Sequence, residues 1–377
     1  MAAAGSLTAG QRDWLRVRSY LQEHRYDLAV DAAGDYPAGR RVAGTPLLAA
    51  PGWQPAEPVP LREIQLEFTP DAPPIADVAD LDGPASGPVN GPVPALPERP
   101  DGTRYLRYSD VLRDLAAPAL FENRPTYRLT EAELTRGASR LAFTRGRYFD
   151  GIDTGEAAAH EYAAARLGAP GPRARLADPC DLRRRPANLA VSTLTLRLDR
   201  AAGRASFLMH WRDPAKVGHA GGLYQVIPVG IFQPAGEAAW HEREDFSLWR
   251  CMVREFAEEL GGHPEEYGAG PAGYDSWPFA RRMTRALDRG QIRVWCLGLG
   301  TDPLTYATDL LTVAVIDSDV FDGLFGPGPR DNAEGSVLAA REFAAHVIDR
   351  TVTRDPVQAA GAAVLRLAWR HRETLAG

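Results

Sequence analysis

Residues 254–261 read Arg254-Glu255-Phe256-Ala257-Glu258-Glu259-Leu260-Gly261. Glu255 and Glu259 are four apart, and Glu258 is three from Glu255, so on a helix all three carboxylates project near one another. Like charges at this spacing cost on the order of 0.2–0.5 kcal/mol per pair. A hard divalent cation turns that cost into binding. Mg²⁺ takes oxygen ligands and commonly keeps waters and substrate phosphates in its shell. The chemistry such a cluster suits is metal-assisted attack of water on a diphosphate. A bare Glu-x-x-Glu-Glu is more often a solvated acidic helix face. Three features set this one apart: Arg254 before the first glutamate, the bulky Phe256 after it, and Gly261 two positions past the last.

Positioning these groups falls to a helix predicted over 245–260. Asp245 or Ser247 can cap it, and Gly261 and Gly262 stop it. Trp249, Met252, Val253, Phe256 and Leu260 form its expected buried stripe, with Arg254, Glu255, Glu258 and Glu259 on the opposite side. Strands are predicted over 189–198 and 205–211, joined by a turn at 199–203 as a hairpin. A third strand over 223–232 contains Pro228 and Gly230, which implies a bend or bulge. Strands over 291–299 and 310–316 and a helix over 356–375 follow. The N-terminal half shows a helix or helix pair over 8–32, an alternating strand over 61–68, a helix over 105–115, a short strand over 139–143 and an Ala-rich helix over 154–167. Of the 31 prolines, 13 lie between 51 and 100, so 69–103 reads as an exposed Pro/Gly-rich loop or linker. Strands with interposed helices indicate an α+β chain. It divides into an N-terminal region, 1–186, and a second region, 187–377.

Composition narrows the function classes. The chain has 377 residues, 45% apolar, with a formal net charge of −6. A general nucleic-acid binder is usually basic, so none is expected. No apolar run reaches the roughly 18 residues that span a bilayer, and the first ten residues do not read as a secretory signal. The three cysteines, Cys180, Cys251 and Cys296, are far apart; neither a disulfide framework nor a zinc knuckle is suggested, and a reducing cytoplasm fits. Lys216 is the only lysine and does not follow a glycine, which excludes a P-loop. No Gly-x-Ser-x-Gly nucleophile elbow is present.

Residues 254–261 resemble the second half of the Nudix box: Gly, five residues, Glu, seven residues, Arg-Glu-bulky-x-Glu-Glu-x-Gly-bulky. Every constrained position matches up to Gly261; Gly262 stands where the family has a bulky residue. Gly203 to Arg212 resembles the family's strand that ends in Arg. Gly222-Leu-Tyr224, followed by Pro228-Val-Gly230, resembles its Gly-x-Trp-x-x-Pro-Gly-Gly lead-in. The pattern sets the arginine 14 positions after its first glycine, whereas Gly230 and Arg254 are 24 apart, an excess of ten. Glu237, Glu242 and Glu244 are candidates for the lone glutamate of the first half, and so is none of them. Longer stretches around 222–234, 245–261 and 297–317 also resemble actinobacterial proteins with a Nudix-like C-terminal region.

The resemblance covers about half the chain. It implies a Nudix-like α/β/α sandwich with a mixed sheet. It implies Mg²⁺ (or Mn²⁺) held by Glu255, Glu258 and Glu259, with Arg254 orienting a glutamate, and hydrolysis of a diphosphate linkage in a nucleoside diphosphate derivative. The alternative it leaves open is a non-catalytic ligand-binding or regulatory protein on the same scaffold. In either case the expected partner is a small nucleotide-like molecule, with no membrane. The N-terminal half would help form the pocket or a homodimer surface. Gly230, Lys216 and Tyr224 are substrate-side candidates, with His219 beside Lys216 in the same loop. Glu334 or Asp309 is a candidate for a further carboxylate. For Tyr224 and for Trp277, Trp295 and Trp369, packing is the more common role. Leu297-Gly298-Leu299-Gly300 lacks the features of a phosphate loop and reads as a strand end and turn.

Overall fold

The computed structural model describes residues 7–71, 96–118, 121–135, 137–169, 178–213, 221–263, 273–326 and 335–377. The N-terminal half opens with helices α1 (Ala9–Glu23) and α2 (Arg25–Gly34). Thr8 caps α1 in a reciprocal box with Gln11. Two short strands follow, β1 (Val59–Pro60) and β2 (Gln65–Phe68), and then helix α3 (Tyr108–Ala116). Strands β3 (Pro125–Thr135) and β4 (Ala138–Arg147) form a hairpin, and β2 lies parallel to β4. Helix α4 (Tyr148–Gly151) runs through a π-turn, Ile152–Glu156, into α5 (Ala157–Arg166).

The second half supplies most of a seven-stranded mixed sheet. Its strands are β5 (Leu189–Asp199), β6 (Arg204–Phe207), β9 (Val229–Ile231), β10 (Ile292–Thr301), β11 (Thr308–Asp317) and β13 (Arg341–Glu342), with β1 of the N-terminal half beside β10. β5 and β11 run parallel; the other pairs are antiparallel. β7 (Met209–Arg212), β8 (Tyr224–Val226) and β12 (Gly335–Val337) form a separate three-stranded sheet. The helices here are α6 (Ala239–Glu244), α7 (Leu248–Glu255), α8 (Gly273–Ser276), α9 (Pro278–Asp288), α10 (Ser318–Phe325), α11 (Ala345–Arg354), α12 (Ala359–Arg370) and α13 (Arg372–Ala376). Among the described residues no helix is long and apolar enough to cross a membrane.

The stretch 223–232 does not run as one strand. It breaks at a cis Ile227–Pro228 bond into β8 and β9, which belong to different sheets. Both carbonyls at the break are used: Thr195 Oγ1 donates to Ile227 O at 2.6 Å, and Thr193 N donates to Pro228 O at 2.9 Å. That satisfies buried backbone groups at a point where ladder pairing lapses. Leu297 to Gly300 lies inside β10, at a bulge between Cys296 and Gly298, rather than at a strand end. The long hairpin strand β3, and helices α9, α10 and α11, have no counterpart in the sequence prediction.

The two halves share one core. Leu47, Leu48 and Trp53 from the N-terminal half, and Tyr127 and Phe143 from its hairpin, belong to the same buried cluster as β5, β10, β11 and α12. Leu48 and Thr301 exchange backbone hydrogen bonds at 3.0 and 2.8 Å. Most of the Pro-rich segment, 72–95, lies outside the described residues.

Candidate functional site

Ser247, not Asp245, caps α7: its Oγ accepts the Arg250 N–H at 3.3 Å. The helix continues as a π-turn over Phe256–Leu260, and Gly262 follows with φ +66°. A bulky residue is disfavoured in that left-handed conformation, which explains the glycine there. The helix is more deeply embedded than a simple amphipathic stripe predicts. Arg254 and Glu259 are only 3% and 6% exposed, and Glu255 and Glu258 are half-buried.

Two of the three glutamates converge on consecutive residues of β9. Glu259 Oε1 accepts the Val229 N–H at 2.9 Å. The Glu255 carboxylate fills the space beside Gly230; a Cβ there would sit 1.9 Å from the Glu255 carboxyl carbon. β9 thus offers the carboxylates a backbone N–H at Val229 and the space of a missing side chain at Gly230. His210, on β7 and 1% exposed, has its Nδ1 4.0 Å from Glu259 Oε2. The buried Cys251 thiol is pushed up to about 12, chiefly by burial, with Glu255 and Glu258 adding to the effect and Arg254 opposing it.

Arg254 has its own setting. Its NH1 forms an ion pair with Asp245 Oδ1 at 3.1 Å, and its NH2 donates to Gln233 O at 2.5 Å. Burial works against its charge, but Cys251, Asp245 and Glu255 hold its pKa above the ordinary value. The other Asp245 oxygen accepts from Ala235 N at 2.9 Å and meets His241 Nδ1 at 2.8 Å. The three candidates for the lone glutamate face other arginines. Glu237 pairs with Arg147 at 3.1 Å, Glu242 with Arg145 at 2.7 Å and Glu244 with Arg250 at 3.2 Å.

The remaining predicted residues separate. Tyr224 packs against the main core, with its N–H on Pro356 O and its carbonyl accepting from Gln358 N. Trp277, Trp295 and Trp369 also pack against that core. Asp309 bonds Ser192 Oγ at 2.7 Å. Ser192 pairs with Val229, and Val191 pairs with Gly230, where Glu255 lies. Side chains alternate across a sheet, so Asp309 is on the opposite face from Glu255 and is not the further carboxylate. Lys216, His219 and Glu334 lie outside the described residues. Sequence reasoning missed His210, which has no signal beyond one polar residue in an apolar strand. It also missed Asp245 as the partner of Arg254.

Among the described residues no group of three or more His, Cys, Asp or Glu side chains is arranged to hold a metal. What the described residues offer a cation is two oxygen donors, Glu255 and Glu259, which reach adjacent residues of β9; Mg²⁺ is commonly held by one or two carboxylates, with water and phosphate oxygens completing its shell.

No protein-family model matches the chain, and no curated protein matches it. Among solved structures, a NUDIX hydrolase from Alicyclobacillus acidocaldarius is similar over 50% of this chain and 95% of its own, at 17% identity and a TM-score of 0.30.

Proposed function

We propose that the chain is a Mg²⁺- or Mn²⁺-dependent hydrolase of the Nudix type, with residues 187–377 forming a sandwich of that kind. It cleaves a diphosphate linkage in a small nucleoside diphosphate derivative. The observation that carries this reading is the convergence of Glu255 and Glu259 on Val229 and Gly230. Glu255 and Glu259 would hold the ion, with Glu258 as a further ligand from the same helix. A bound divalent ion supplies charge neutralisation on phosphoryl oxygens and a more acidic water. The chain's own part is positioning. Gly230 leaves room for the Glu255 carboxylate, the Val229 amide holds Glu259, and Arg254 ties the helix to the β9 strand through Gln233. Lys216 is assigned to substrate phosphate and Glu334 to a further carboxylate.

A second reading, ligand recognition without turnover, is favoured by one observation. The candidates for the first-half glutamate, Glu237, Glu242 and Glu244, are all engaged with arginines. One experiment separates the two. Wild type and Glu259→Gln are incubated with Mg²⁺ or Mn²⁺ and ADP-ribose, NAD, dinucleoside polyphosphates and nucleoside triphosphates. The hydrolase reading expects turnover of at least one compound, reduced at least 100-fold in the variant, whose amide oxygen still accepts the Val229 N–H. Binding without turnover by either protein would establish the second reading instead.

A further inference from the structure

We propose that residues 235–245 form a positioning strap, and that Asp245 on it sets the placement of the glutamates on the α7 helix. This rests on the reading of that helix as a metal and phosphate site. Asp245 is 6% exposed and both its oxygens are committed. One faces Arg254; the other accepts from Ala235 N, which closes the strap into a loop, and meets His241.

The strap is fastened at its other side to the N-terminal hairpin. Tyr127 Oη donates to Glu242 O at 2.9 Å, Arg145 pairs with Glu242 and Arg147 with Glu237. Phe246, the residue after Asp245, packs at 5.0–5.6 Å against the rings of Phe68, Tyr127, Phe143 and Phe232. Asp245 thus sits beside an aromatic anchor drawn from both halves. Arg254 carries that placement onward. It bonds Gln233 O, on the chain just past β9, and precedes Glu255 on the helix. Glu255 and Glu259 reach the same β9 strand at Gly230 and Val229. Strap, strand and helix meet at one buried guanidinium, and the carboxylate facing it from the strap is Asp245.

A purely structural ion pair predicts something different from a positioning one. Removing one charge of a buried pair is strongly destabilising because it leaves the other uncompensated, a cost that is avoided when both charges are removed. The test therefore compares the full chain as wild type, Asp245→Asn and the double variant Asp245→Asn/Arg254→Gln. Three quantities are measured: the melting midpoint, Mn²⁺ binding from the spectrum of the free ion, and hydrogen exchange by segment below the melting range. We expect Asp245→Asn to melt earlier and to bind Mn²⁺ at least tenfold more weakly. The double variant should melt higher than Asp245→Asn without regaining the affinity. Exchange over 255–261 should rise at least tenfold in both variants while β10 and β11 stay protected. Wild-type affinity and exchange in Asp245→Asn would overturn the proposal, as would their return in the double variant or an equal rise in exchange along the whole chain. If Asp245→Asn does not fold, the double variant decides. If wild type binds no Mn²⁺, the metal reading fails, and the strap stands or falls on the exchange over 255–261.

Discussion

At the residue scale, Gly230 shows how a single missing side chain makes the site. The Glu255 carboxylate occupies the place where a Cβ would stand. Gly230→Ala forces the carboxylate out or the helix back, and overpacking of this kind costs about 1–3 kcal/mol. The expected result is a lower midpoint in urea, and loss of any Glu259-dependent turnover beyond what the stability change explains. Asp309 carries a different prediction. Burial raises its pKa from 3.8 to about 7, with Asp302 adding to the rise and the Ser192 hydroxyl opposing it. The folded chain therefore holds a proton there that the unfolded chain releases. Stability linked to this group is full below pH 3.8 and is lost as pH rises toward 7, at up to about 1.4 kcal/mol per pH unit. Asp309→Asn keeps a neutral side chain throughout, so its stability relative to wild type should grow between pH 4 and pH 7 in denaturant titrations. A constant difference across that range would show that Asp309 does not titrate in this way.

At the element scale, the α7 helix is set by local rules at both ends and by its neighbours along its length. Ser247 is its cap, and Ser247→Ala should cost about 1 kcal/mol, read as a lower melting midpoint; Asp245→Asn disturbs Arg254 instead. The ends were legible because capping and left-handed glycines are local chemistry. The burial of Arg254 and Glu259 was not. Helical periodicity places them on a polar face, and the approach of β9, of His210 on β7 and of the 235–245 loop covers that face. The bend at Pro228 was legible too, since proline and glycine interrupt ladder pairing. That β8 and β9 join different sheets depends on which strands lie nearby.

At the scale of the whole molecule, the shared core decides how the halves depend on each other. Trp53, Leu47 and Leu48 are buried in the same cluster as β10 and β11, and β1 extends the main sheet beside β10. A second tie is buried in the N-terminal half, where Glu156 accepts from Arg18 and from Arg25 at 2.9 Å. Gly155, next to Glu156, lets the Thr305 carbonyl approach; a Cβ there would lie 1.9 Å from that oxygen. A fragment of residues 187–377 exposes the apolar surface that these contacts cover. It should lack a cooperative thermal transition by circular dichroism, whereas the full chain should unfold in one.

The sequence alone determined the α+β composition and a helix carrying the glutamates that ends at Gly261, though it begins at Leu248 rather than 245, because propensity, capping and periodicity act over a few residues. The tertiary structure decided the rest. It brought Glu255 beside Gly230 and Glu259 onto the Val229 amide. It set Asp245 against Arg254 and put Asp309 on the far face of the sheet. Those outcomes depend on which strands pair and on what fills the space beside a glycine, and contacts between residues distant in sequence leave no mark in local spacing.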